Sequence, residues 1–95
     1  MAKSHDQAAK RIAKKLGGRY KPRKSPDVKG PGGRAEVKST AEEISQALRQ
    51  LGGGSGPAYI ALPKLEHRKA RQRLSSRKTG LMDYLGNITK PSTRK

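Results

Sequence analysis

Cysteine, phenylalanine and tryptophan are all absent from this 95-residue chain, and tyrosine occurs only three times. Without cysteine there is no disulfide framework and no thiolate zinc site. Without the two largest apolar aromatics, a core has to be assembled from Leu, Ile, Val, Met and Ala. Hydrophobic residues are 31% of the chain, which suits one small domain and excludes two. No apolar run approaches the ~20 residues that span a bilayer, and no secretory hydrophobic segment follows Met1. Three tyrosines are too few for a dedicated single-strand stacking platform. The glycine run 52–54 and Gly56 lack the Gly-Lys-Ser/Thr ending of a phosphate-binding loop.

Acidic residues are also scarce, and this shortage is the strongest signal. Seven Asp and Glu stand against 23 Lys and Arg, for a net charge of +16. The basic residues run along the whole chain, so the excess is not a tail on a neutral domain. A field of this size attracts polyanions and steers them in from a distance. Nucleic acid is therefore the expected partner. A membrane is not, because no helix pairs a broad Leu/Phe/Trp face with its basic one. The expected location is the cytoplasm or the nucleoid.

The apolar pattern predicts an α/β fold, a small mixed sheet flanked by helices in the order α-β-β-β-α-β-α. Ser4 and Gln7 match a capping box, followed by Ala9, Ile12, Ala13 and Leu16 at helical spacing up to Gly17-Gly18. Short strands are expected around 19–21 and 26–29, then at 34–39. Gly30-Pro31-Gly32-Gly33 reads as a tight reversal, so Asp27-Val28-Lys29 and Ala35–Lys38 should pair as a hairpin. Ser39 and Thr40, each with a Glu three residues on, open a second helix carrying Ile44, Ala47, Leu48 and Leu51. Ala58–Leu62 is apolar throughout, as in a strand covered on both faces. Pro63 opens a third, basic helix to about Ser75. Residues 81–85 read as either a short strand or a turn, and His67 as exposed and touching phosphate. The expected domain is 1–89, with 90–95 a disordered basic tail.

Two acids and a lysine carry the sharpest chemical reading. In a strand, residues i and i+2 share a face, so Glu36 and Lys38 project together, and Asp27 reaches the same face from the other hairpin arm. Two carboxylates one strand apart, with the carbonyl between Glu36 and Lys38, make an oxygen-rich site of the kind that suits Mg²⁺. Lys38 would lie beside it and orient a water.

Pro26-Asp27, eight residues, then Glu36-Val37-Lys38 resembles the PD-(D/E)XK nuclease superfamily, and within it the Holliday-junction-resolvase-like nucleases. The likeness spans roughly residues 4–75. It takes in an acid on the first helix (Asp6), a basic segment before the Pro-Asp pair (19–25), a glutamine on the following helix (Gln46 or Gln50), and a strand leading into a basic segment. The resemblance implies a restriction-endonuclease-like sheet and phosphodiester cleavage of DNA, ahead of RNA, with Mg²⁺ or Mn²⁺. Asp27 and Glu36 would be metal ligands, Lys38 the water-orienting residue and Asp6 an accessory. Arg19, Lys21, Arg23, Lys24, Arg68 and Arg71 would hold phosphates. Cutting two strands calls for two sites, hence a homodimer. Two other readings remain open: a basic DNA- or RNA-binding protein without turnover, and a structural or regulatory protein with an acidic protein partner.

Overall fold

The computed structural model describes residues 2–21, 27–52 and 56–93, with side chains from residue 6 onward. The chain runs α1 (Ala2–Leu16), β1 (Arg19–Tyr20), β2 (Val28–Gly30) and β3 (Gly33–Val37). A 3₁₀ turn at Ala41–Glu43 then feeds α2 (Ile44–Leu51), followed by β4 (Ala58–Ala61). A second such turn at Lys64–Glu66 feeds α3 (His67–Leu74), and β5 (Gly80–Met82) and β6 (Ile88–Lys90) complete the chain. The six strands form one mixed sheet in chain order. β1, β2 and β3 are antiparallel neighbours, β3, β4 and β5 are parallel, and β6 returns antiparallel to β5.

The fold is thus the expected α/β class, and the expected order holds through α3. Two further strands, β5 and β6, then extend the sheet. The ambiguous segment 81–85 divides into the end of β5 and a turn, in which Asp83 Oδ1 accepts the amides of Leu85 and Asn87. Residues 90–95, expected as a tail, enter the fold as far as Thr93. Lys90 closes β6, and Ser92 Oγ accepts the Ala58 amide at 3.1 Å. α1 begins at Ala2 rather than at a Ser4 cap, since Ala2 and Lys3 are good helix formers that carry the helix past it.

Both helical crossovers, β3-α2-β4 and β4-α3-β5, step in the same direction along the sheet, so their common handedness puts α2 and α3 on one face. α1 takes the other. Ala9, Ile12 and Leu16 of α1 pack on Val28, Ala35, Val37, Ala61 and Met82. On the opposite face Ile44, Ala47 and Leu51 of α2 and Ala70 and Leu74 of α3 cover Ile60, Leu62 and Leu81. β4 is buried along its whole length, as its apolar run predicts. His67 corrects an expectation: it is 6% exposed, bonded through Nε2 to the Leu62 carbonyl (2.9 Å) and through Nδ1 to Thr89 Oγ1 (3.0 Å). It is a peg between α3 and the sheet. Among the described residues no helix is long and apolar enough to cross a membrane.

The α1–β1 junction leaves no room for a side chain. A Cβ at Gly18 would lie 2.1 Å from the Lys29 carbonyl oxygen, whereas one at Gly52, with φ +70°, meets nothing within 4 Å. Gly18→Ala should therefore cost about 3 kcal/mol or more, and Gly52→Ala, at φ +70° and ψ −171°, a smaller backbone strain of about 1–3 kcal/mol. Urea unfolding of the two variants checks the order, and equal losses would contradict this packing.

Candidate functional site

The site is built at the end of the β2–β3 hairpin. The register Val28↔Ala35 and Lys29↔Arg34 continues outward to set Asp27 beside Glu36. Ala35 and Val37 belong to the α1 core, so strand alternation turns Arg34, Glu36 and Lys38 toward the α2 face. The hairpin end is closed by a reciprocal pair of hydrogen bonds. The Asp27 amide donates to Glu36 Oε1 at 2.8 Å, and the Val37 amide donates to Asp27 Oδ2 at 3.0 Å. Each carboxylate is fixed by the other's strand.

Glu36 is 1% exposed. Burial, then the Asp27 charge, pushes its carboxyl up to about 7; the Asp27 amide and the Lys38 ammonium pull the other way without prevailing. Asp27 and Lys38 thus both act on the Glu36 carboxyl. Lys38 is positioned at both ends of its peptide unit. Its amide donates to the Ala61 carbonyl at 2.9 Å, and its carbonyl accepts the Tyr84 hydroxyl at 2.6 Å.

Asp6 is placed differently from the other acids. It is exposed on α1 and accepts the Tyr20 hydroxyl at 2.8 Å. Tyr20 lies within electrostatic reach of both Asp6 and Asp27. Burial and the bond to Asp6, with the charges of Asp6 and Asp27 behind them, push its hydroxyl up to about 12.

Cations line the face beside the pair. The sheet register sets Arg19, Lys29 and Arg34 side by side on β1, β2 and β3. Like charges directly opposite one another destabilise a sheet, so this row carries a cost that stability does not explain. α2 packs on β3 and β4, and Arg19, Lys21 and Lys29 are exposed. They form a basic shelf in which Lys21 lies opposite Asp27, its amide donating to the Asp27 carbonyl at 2.8 Å, and Arg19 and Lys29 lie two residues further along the strands, a step of about 7 Å. Arg34 anchors the shelf to α2 by donating to the Leu51 carbonyl.

The remaining expected phosphate contacts lie apart or outside the described residues. Arg23 and Lys24 are outside them. Arg68 and Arg71 are exposed on α3, away from the shelf, with Arg71 reaching the Thr89 carbonyl on β6 at 3.4 Å. Of the two glutamines, Gln46 is exposed, while Gln50 Oε1 is buried without a hydrogen-bond partner among the described residues. Among those residues no group of three or more His, Cys, Asp or Glu converges as a metal site. The two carboxylates are the acidic donors at hand. Sequence reasoning missed Lys29 and Arg34 as partners of Arg19, although the hairpin register alone aligns them. It also missed the tethering roles of Tyr20 and Tyr84, which no local pattern signals.

Comparison with protein-family models, with curated proteins and with solved structures finds no match to this chain.

The Glu36 environment predicts a pH-dependent stability. Its carboxyl rises from an ordinary 4.5 to about 7 on folding. Its stabilising contribution is therefore complete below the unfolded value and is lost as pH climbs through the folded one. The loss amounts to about 3 kcal/mol. Glu36→Gln keeps the acceptor for the Asp27 amide and removes the titration. Relative to wild type it should gain about that much between pH 4.5 and 7 and stay level above. Denaturant unfolding across this range checks it, and a difference that does not change with pH would contradict the assignment.

Proposed function

We propose that this chain is a metal-dependent nucleic-acid phosphodiesterase, an endonuclease of the PD-(D/E)XK type acting on DNA. The observation that carries the reading is the buried Glu36 carboxylate held against Asp27 with Lys38 beside it. Burying one acid against a second is costly unless a cation or a proton compensates. In a chain of net charge +16 that is built to hold phosphates, acids on the gripping face also oppose binding.

The donor set fits Mg²⁺ or Mn²⁺, which take carboxylate oxygens and retain several waters. Asp27 and Glu36 would hold the ion. When bound, it supplies Lewis-acid stabilisation of phosphoryl charge and a more acidic water. The chain's own groups do the rest. Arg19, Lys21 and Lys29 hold the phosphate backbone on the shelf and set its position along the strands. Lys38, fixed through Ala61 and Tyr84, presents an ammonium for orienting the attacking water and balancing charge on the phosphate.

A second reading is a nucleic-acid-binding module without turnover. The two backbone bonds into the carboxylates favour it, because a purely structural acid pair would lock a hairpin end in the same way. Incubating supercoiled plasmid and four-way-junction DNA with Mg²⁺ or Mn²⁺ separates the two. The nuclease reading expects cleavage, reduced about a hundredfold or more in Glu36→Ala and Lys38→Met, with DNA affinity within about twofold of wild type for Glu36→Ala. Absence of cleavage with every divalent metal, alongside intact binding, would leave the binding module.

A further inference from the structure

On the flank of α2 away from the shelf lies a shallow groove of about 450 Å³, lined by Ser45, Leu48, Arg49 and Arg77. It joins α2 to the turn between α3 and β5. Arg49 and Arg77 are exposed, and among the described residues neither guanidinium has an ion-pair partner. None of the chain's seven acids lies in the second half of α2, in the α3–β5 turn or in the β6 segment.

The turn that carries Arg77 is held from behind. Lys90 Nζ donates to the carbonyls of Arg77 (3.1 Å) and Thr79 (2.8 Å). The Thr93 amide and Ser92 Oγ donate to the carbonyl between them, that of Lys78, at 2.8 and 3.2 Å. Three successive carbonyl oxygens are thereby committed to the β6 segment. The turn's own negative poles are neutralised, and the exposed Arg77 and Lys78 side chains are carried on a fixed backbone. Each of these bonds comes from the chain's last strand or the residues just after it.

We infer that this groove is a second phosphate-binding site for the backbone of nucleic acid, separate from the shelf beside Glu36. Each of the two guanidiniums offers a planar fork that can bind phosphate oxygens bidentately. Ser45 adds a hydroxyl donor, and Leu48 gives an apolar wall against which sugar carbons can lie. Pre-fixing the turn lowers the ordering cost of the contact. Nucleic acid is favoured over an acidic protein or an anionic lipid surface. The groove holds one apolar side chain, too little for a peptide's hot spot, and no amphipathic apolar face accompanies it for insertion in a bilayer. The chain would then grip polyanion on both flanks of α2, one contact serving the carboxylate site and the other independent of it.

The test is an NMR and affinity measurement on the full chain with a short DNA duplex as probe. The amides of 48–51 and 75–79 should shift on titration. Arg49→Gln/Arg77→Gln should weaken binding about tenfold and flatten the log–log salt slope by about two. Glu36→Gln should leave these groove shifts unchanged, so the groove and the nuclease reading fail independently. Unfolding by circular dichroism controls for the fold of the double variant. Shifts confined to the shelf and the carboxylates, or unchanged affinity in a folded double variant, would overturn the inference. So would shifts of these amides with anionic vesicles or poly-glutamate but not with the duplex.

Discussion

The reciprocal bond between the two hairpin arms, Asp27 amide to Glu36 and Val37 amide to Asp27, is the constraint on which the site depends. It locks the end of β2 against β3, beyond the point where the regular ladder stops. It also forces a carboxylate into a place that water barely reaches. The bonds recover part of the desolvation cost of Glu36, and the weakened acidity of that residue measures what they do not recover. A one-residue slip in this hairpin would turn Glu36 and Lys38 toward α1 and Ala35 toward α2. Fold and site thus share a single register.

Charge placement follows from that register. The same alternation that buries Val28, Ala35 and Val37 against α1 lines up Arg19, Lys29 and Arg34 on the opposite side. α2 divides the cations on this face into two sets, the shelf on one flank and the Arg49–Arg77 groove on the other. The carboxylates sit with the shelf alone. The proposed chemistry and the proposed second contact therefore rest on different residues, although both draw on the same excess of positive charge.

Much of this was legible in the sequence because strong patterns coincide there. The β4 run is apolar at every position, α2 has a full apolar face behind an acidic 3₁₀ turn, and Gly30–Gly33 brackets the hairpin. Asp27, Glu36 and Lys38 followed from strand periodicity once that hairpin was in place. The rest depended on contacts distant in sequence. β5 and β6 are three residues each, and their strand character comes from pairing, β5 with β4 and β6 with β5, rather than from local preference. Ser92 and Lys90 look like tail residues until the carbonyls they reach are known. His67 reads as one more polar residue on a basic helix. Only the packed fold shows that both its ring nitrogens are taken up. The Tyr20–Asp6 bond joins residues fourteen apart across a helix and a turn.

The central claim is that Asp27, Glu36 and Lys38 make one pocket for a divalent cation. The most direct measurement is a Mg²⁺ titration of isotopically labelled protein, following the side-chain carboxyl carbons of Asp27 and Glu36 and the Lys38 ammonium by NMR. A single pocket predicts that all three signals move together along one saturating curve. Signals that stay fixed at this trio, or that move only as much as those of the exposed Glu42, would contradict it.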